Sequence, residues 1–210
     1  MNRWPFGSSF GIKSFLGVFV GVIVALMAPT GPVGRAHEQV VRWDIVNVVA
    51  GNVTSGGIAS AKATNADGME TSMITFTGSG TFEPPENDEE GDDVTGGGTW
   101  MITTGAVTTT GTYKVTGVVR WTEAPGMFPA ITDNIGNRAD ARAGLAVLRI
   151  RYSDGDLGVL AVSCSLIGTP NTVFEGVSAT KSFSGYWKVQ PPRPGVNANR
   201  TLFHVMNEKD

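Results

Sequence analysis

Between residues 40 and 205, apolar and polar residues alternate in short runs separated by Gly, Asn and Asp clusters, and no window carries an apolar stripe at helical spacing. Such a chain buries one face of each strand rather than one stripe of each helix. Composition agrees: 28 Gly and 11 Pro among 210 residues exceed average usage, and only 17% of residues are charged. The runs predict strands over 40–49, 58–64, 71–82, 98–104, 110–121, 143–152, 157–165, 172–181 and 199–205. That number and spacing predict an all-β fold, either a single antiparallel β barrel of about eight strands or a barrel-like sandwich, which protects strand edges.

The sharpest local signal is Ser153-Asp154-Gly155-Asp156, because Asp-Gly accepts the positive φ angles of a tight hairpin. With Asp154 and Gly155 as a two-residue turn, Tyr152 would face Leu157, Ile150 would face Val159 and Leu148 would face Ala161. Leu160, Val162 and Cys164 would then share the other face with Arg149 and Arg151. In 110–121, Tyr113, Val115, Gly117, Val119 and Trp121 are expected to face the core. In 40–49, the face carrying Val41, Trp43 and Ile45 is expected to be drier than the face carrying Arg42, Asp44 and Val46.

Residues 1–36 read as an export signal: Arg3 and Lys13 supply charge, an apolar run extends from Phe15 to Ala28, and Gly34-Arg35-Ala36 places small residues for cleavage. The run is shorter than the roughly 20 residues that span a bilayer as a helix, and the alternative is an uncleaved anchor. Cleavage after Ala36 leaves residues 37–210 as the β-barrel domain, with 13 basic against 19 acidic residues and a net charge of −6, since Arg3, Lys13 and Arg35 are removed. A secreted or periplasmic, acidic domain with no membrane segment after cleavage follows, and nucleic acid is not an expected partner. Cys164 is the only cysteine, so no intramolecular disulfide forms, and its apolar surroundings predict a buried, inert thiol.

Residues 83–93 hold seven acidic side chains with Pro84 and Pro85, which predicts a mobile, solvated loop; the EF-hand calcium pattern is absent. Residues 122–142 form a second long connection, in which Asp140-Ala141-Arg142 is expected to make one helical turn.

The segments Gly97-Gly98-Thr99-Trp100, Gly111 to Gly117, Asp140 to Leu145 and Val173-Phe174-Glu175-Gly176 resemble a family of exported bacterial β-rich proteins of unassigned function. The resemblance covers most of residues 40–205 and implies export and a β fold, with no catalytic residue attached. In texture the Gly- and Thr-rich strands are also similar to the barrels of allene oxide cyclase and dirigent proteins. The Gly98-Thr99-Trp100 and Thr110-Gly111-Thr112-Tyr113 pair resembles the opening hairpin of the avidins, whose later tryptophan-bearing ligand motifs have no counterpart.

No phosphate loop or Gly-x-Ser-x-Gly elbow occurs, and two histidines with one cysteine leave little for zinc or a triad. Three candidate sites remain. Arg149 and Arg151 share a face, Arg120 lies on a nearby run and Glu175 interrupts an apolar stretch, so a barrel mouth would gather a charged cluster for an anionic small molecule; the alternative is surface ion pairs. Trp43 and Trp121 are assigned to packing, whereas Trp100 and Trp187 are expected at the surface, where they would stack on sugar rings. Cleavage after Ala36 would make His37 the mature N-terminus, and with His204 it would supply three nitrogens for copper, as in secreted copper oxygenases; no other cofactor is expected.

The expected protein is therefore an exported barrel that binds a small molecule or a polysaccharide, with homo-oligomer formation open. A barrel enzyme of cyclase or isomerase type is the alternative, and a copper oxygenase a third. An enzyme would enclose a charged group in an apolar cavity, whereas a sugar binder would display tryptophan faces.

Overall fold

The computed structural model describes residues 39–85, 91, 93–193 and 198–207. The expected signal segment, His37 and the middle of the acidic loop lie outside the described residues. The strands are β1 (Gln39–Val49), β2 (Asn52–Thr54), β3 (Ala59–Thr64), β4 (Glu70–Phe76), β5 (Ser79–Phe82), β6 (Gly97–Thr104), β7 (Val107–Ala124), β8 (Thr132–Asp133), β9 (Ala141–Tyr152), β10 (Leu157–Cys164), β11 (Gly176–Lys181), β12 (Ser184–Tyr186), β13 (Lys188–Val189) and β14 (Arg200–Asn207). The helical turn forms at Arg138–Asp140, just before the expected place, because the Asn137 side chain accepts from the Ala139 amide at its start.

Backbone pairing closes a six-strand antiparallel ring in the order β1, β5, β6, β7, β9, β14 and back to β1. Strands β10, β11 and β12 continue outward from β9, and β4, β3 and β13 from β6. The ring leaves its member strands no free edge. The run expected over 71–82 is two strands, because Gly78 is a pivot between partners. A Cβ there would stand 2.3 Å from the Tyr113 hydroxyl and 2.5 Å from the Gly97 carbonyl, so only glycine lets β4 on β6 pass into β5 on β1.

Two registers differ from the sequence expectation. In the β9–β10 hairpin Leu160 faces Leu148 and Val159 faces Arg149. The loop is one residue longer than a two-residue turn, with the Tyr152 amide donating to the Asp156 carbonyl and Gly155 at φ 95. One residue of slip exchanges the faces of β10, so Leu160, Val162 and Cys164 enter the core beside Leu148, Ile150 and Tyr152. In β7 the pairing with β9 shifts between Val115 and Gly117 and again between Val118 and Arg120. These two bulges turn Val118 into the core and Val119 outward, then restore Trp121 to the inner side.

The interior is filled by side chains: Trp43, Phe76, Phe82, Tyr152 and Phe203 are among the largest fully buried groups. Phe76 meets Tyr113 edge-on at 5.3 Å, and Trp121 lies 4.6 Å from Phe203. The tyrosine hydroxyls are satisfied, Tyr113 Oη donating to the Thr77 carbonyl and Tyr152 Oη to that of Thr180, whereas the buried Trp43 Nε1 has no hydrogen-bond partner among the described residues. Trp100, expected at the surface, is 4% exposed: its ring meets Tyr152 edge-on and its Nε1 donates to the Thr112 carbonyl. Cys164 is buried as expected. Among the described residues no helix is long and apolar enough to cross a membrane.

Candidate functional site

The outer face of the β1–β14 pair is also covered. Cross-strand rows there are Arg42 with His204, Asp44 with Leu202, and Val46 with Arg200. The connection between β7 and β9 folds back over this face, held at one end by reciprocal backbone hydrogen bonds between Met127 and Ile167. Its Phe128, Pro129 and Ile131 roof a cavity of about 260 Å³ whose floor includes Val46, Val48 and Leu202. Both faces of β1 are therefore dry along much of their length, against the expectation of one drier face.

The polar end of this cavity is Glu175, Arg200, Ser165 and Thr201. Glu175 Oε2 accepts from the Ser165 amide at 2.6 Å, and Oε1 accepts from the Thr201 amide at 2.7 Å. The carboxyl thus joins the end of β10 to the start of β14. Burial pushes its pKa up to about 7, against the two amide bonds and the attraction of Arg200, which pull it down. The neighbouring Cys164 thiol is pushed well above its ordinary value by burial, and further by Glu175.

At the other end of the same face lies a buried polar group. His204, 2% exposed, has Nε2 at 2.7 Å from Asp133 Oδ2. Asp133 Oδ1 accepts from the Ile135 and Gly136 amides at 3.0 and 3.1 Å, and Arg42 Nη1 donates to the Ile135 carbonyl at 2.7 Å. Arg42 also pairs with Asp44 through Nε at 2.8 Å. Burial would raise Asp133, but the bonds from His204, Ile135 and Gly136 outweigh it and hold the carboxyl below its ordinary value. For Asp44 burial outweighs Arg42 and its pKa rises. These contacts pin the roof of the cavity to the barrel wall.

The residues singled out from sequence do not converge. Arg149 lies across Gly117 and lines a shallow outer groove with Arg151 and Thr116, while Arg120 is exposed and bonds to Thr122. Glu175 belongs to the cavity on the β1–β14 face and shares none of its lining with them, so the charged cluster expected at a barrel mouth is not assembled. Trp187 is 64% exposed and covers Gly185, without a second exposed tryptophan among the described residues. The buried Trp100 ring carries Lys181 at 4.9 Å instead of a free face. His204 has its Nε2 engaged by Asp133, and among the described residues no group of three His, Cys, Asp or Glu side chains is placed to hold a metal. Sequence reasoning found Glu175 from its interruption of an apolar run but missed Arg200, Thr201 and Asp133. The Asp133-Asn134-Ile135-Gly136 turn composition was a signal for the last.

What fold and site define is a closed antiparallel barrel with a small cavity between its wall and an external strap. No protein-family profile, no curated protein and no solved structure matches the chain.

Proposed function

We propose that the chain is an exported barrel protein that binds a small, largely apolar molecule in the cavity over β1 and β14. The carrying observation is Glu175, a fixed carboxyl at the end of an apolar chamber of about 260 Å³ that also receives Arg200. Cavities with an apolar lining and a few convergent polar groups hold small ligands, and this volume falls just below the roughly 300 Å³ at which that class begins, which suits only a small one. Export rests on the charge, apolar run and small residues of positions 1–36. The exposed aromatic surface gives a polysaccharide less support, because Trp100 is core and Trp187 stands without a second exposed tryptophan among the described residues.

The test is calorimetric titration of 1-octanol and sodium octanoate into the protein and into Ile131→Trp, which fills the chamber from the strap. Binding by the unmodified chain and its loss in Ile131→Trp, with the melting temperature kept, is the expected outcome. If neither compound binds the unmodified chain, the reading falls.

A cyclase or isomerase reading draws on the same carboxyl, since a group whose pKa is about 7 in an apolar chamber suits general acid–base chemistry. It requires that Glu175→Gln retain a bound substrate while losing its conversion.

A further inference from the structure

Glu175 and Arg200 give the chamber one ionic end, and the two charges behave differently. A guanidinium is a permanent charge in proteins, whereas a carboxyl changes charge with one proton. Both carboxylate oxygens are tied to backbone amides, so Glu175 cannot swing away when something negative enters. An anion placed on Arg200 would meet a second negative group at the same end of the cavity while Glu175 is ionised. A proton on Glu175 removes that repulsion and offers the entering group a hydrogen-bond donor. Beyond this end, which Ser165 and Thr201 share, the lining is apolar and prefers a hydrocarbon body.

The geometry points to a site that takes up a small hydrophobic monocarboxylate together with one proton, the ligand carboxylate lying on Arg200 and the proton on Glu175. This rests on the reading of the chamber as a ligand site. The charged or titratable groups facing Glu175 are Arg200 from β14 and Cys164 from β10, and the buried thiol stays neutral. Glu175 is therefore the group that changes charge.

Calorimetry with sodium octanoate and with 1-octanol, at about pH 5.5 and about pH 8.5, tests this directly. Octanoate should bind about tenfold or more tightly at the lower pH, whereas octanol should be unchanged. In paired buffers of different ionisation enthalpy, about one proton should enter with each octanoate at the higher pH. Glu175→Gln should flatten the pH dependence, and Arg200→Gln should remove the preference for octanoate over octanol. The proton count needs only the unmodified chain, so it stands if Glu175→Gln disturbs the two amide bonds. Octanol binding with octanoate affinity independent of pH would overturn proton-coupled uptake and leave the chamber as a ligand site. Absence of binding by both compounds would overturn both readings.

Discussion

His204 Nε2 lies 2.7 Å from Asp133 Oδ2, and through this contact the last strand of the barrel holds the strap that roofs the Glu175 chamber. Both side chains are almost wholly buried, so neither finds water when the other is removed. Such pairs add little net stability when formed, but breaking one leaves a stranded polar group.

Asp133→Ala should therefore lower the unfolding free energy by about 3 kcal/mol, measured by urea denaturation. It should also speed amide exchange at Ile135 and Gly136, whose donors lose their acceptor. Unchanged exchange there would mean that Arg42, the β2–β8 pairing and the Met127–Ile167 contact hold the strap without this pair.

Gly136 lies against the His204 ring, and a Cβ there would stand 2.4 Å from Nε2. Its backbone is not in the left-handed region, so the obstacle is purely steric. Gly136→Ala should destabilise the chain by about 1–3 kcal/mol and weaken octanol binding by loosening the strap. Full retention of both would show that the strap shifts without consequence.

Stability should depend on pH in two opposed ways. Glu175 is raised from its ordinary 4.5 to about 7 in the folded chain, so the folded state binds the proton more strongly than the unfolded state. Its contribution is complete below about pH 4.5 and is lost as pH rises through about 7. Asp133 is lowered from 3.8, so its contribution is present above that value and is lost as pH falls through its folded pKa. Urea midpoints across this range should fall between weakly acidic and neutral pH, and Glu175→Gln should flatten that decline.

The Asp154-Gly155 turn offers a test free of packing. Gly155 has φ 95 and nothing within 4 Å of an added Cβ, so Gly155→Ala strains only the backbone. A loss of about 1 kcal/mol in unfolding free energy is expected, with the β9–β10 register intact in backbone NMR contacts.

The same hairpin shows how far local sequence reaches. Asp154 and Gly155 marked the turn correctly, because a residue's tolerance of positive φ is a local property. They did not mark its length, and one added residue exchanged the two faces of β10. Leu160, Val162 and Cys164 hold the core because together they are larger and more apolar than Val159, Ala161 and Ser163 on the opposite face, and burial against β9 selects the register that covers them. Likewise the β7 bulges obey no two-residue rule: they let an 18-residue strand turn from β6 to β9 while keeping Tyr113, Val118 and Trp121 inward.

The sequence by itself determined the period of two, the strand content, the punctuation by glycine and the oddness of Glu175 in an apolar run, since each follows from one residue and its near neighbours. Tertiary structure decided which strands close the ring and which registers survive. It also set Trp100 in the core and placed the chamber outside the barrel wall. Those choices depend on burial between segments far apart in the chain: Glu175 meets Thr201, and Asp133 meets His204, across 26 and 71 residues of sequence. Alternation along one strand carries no record of what will later cover its second face.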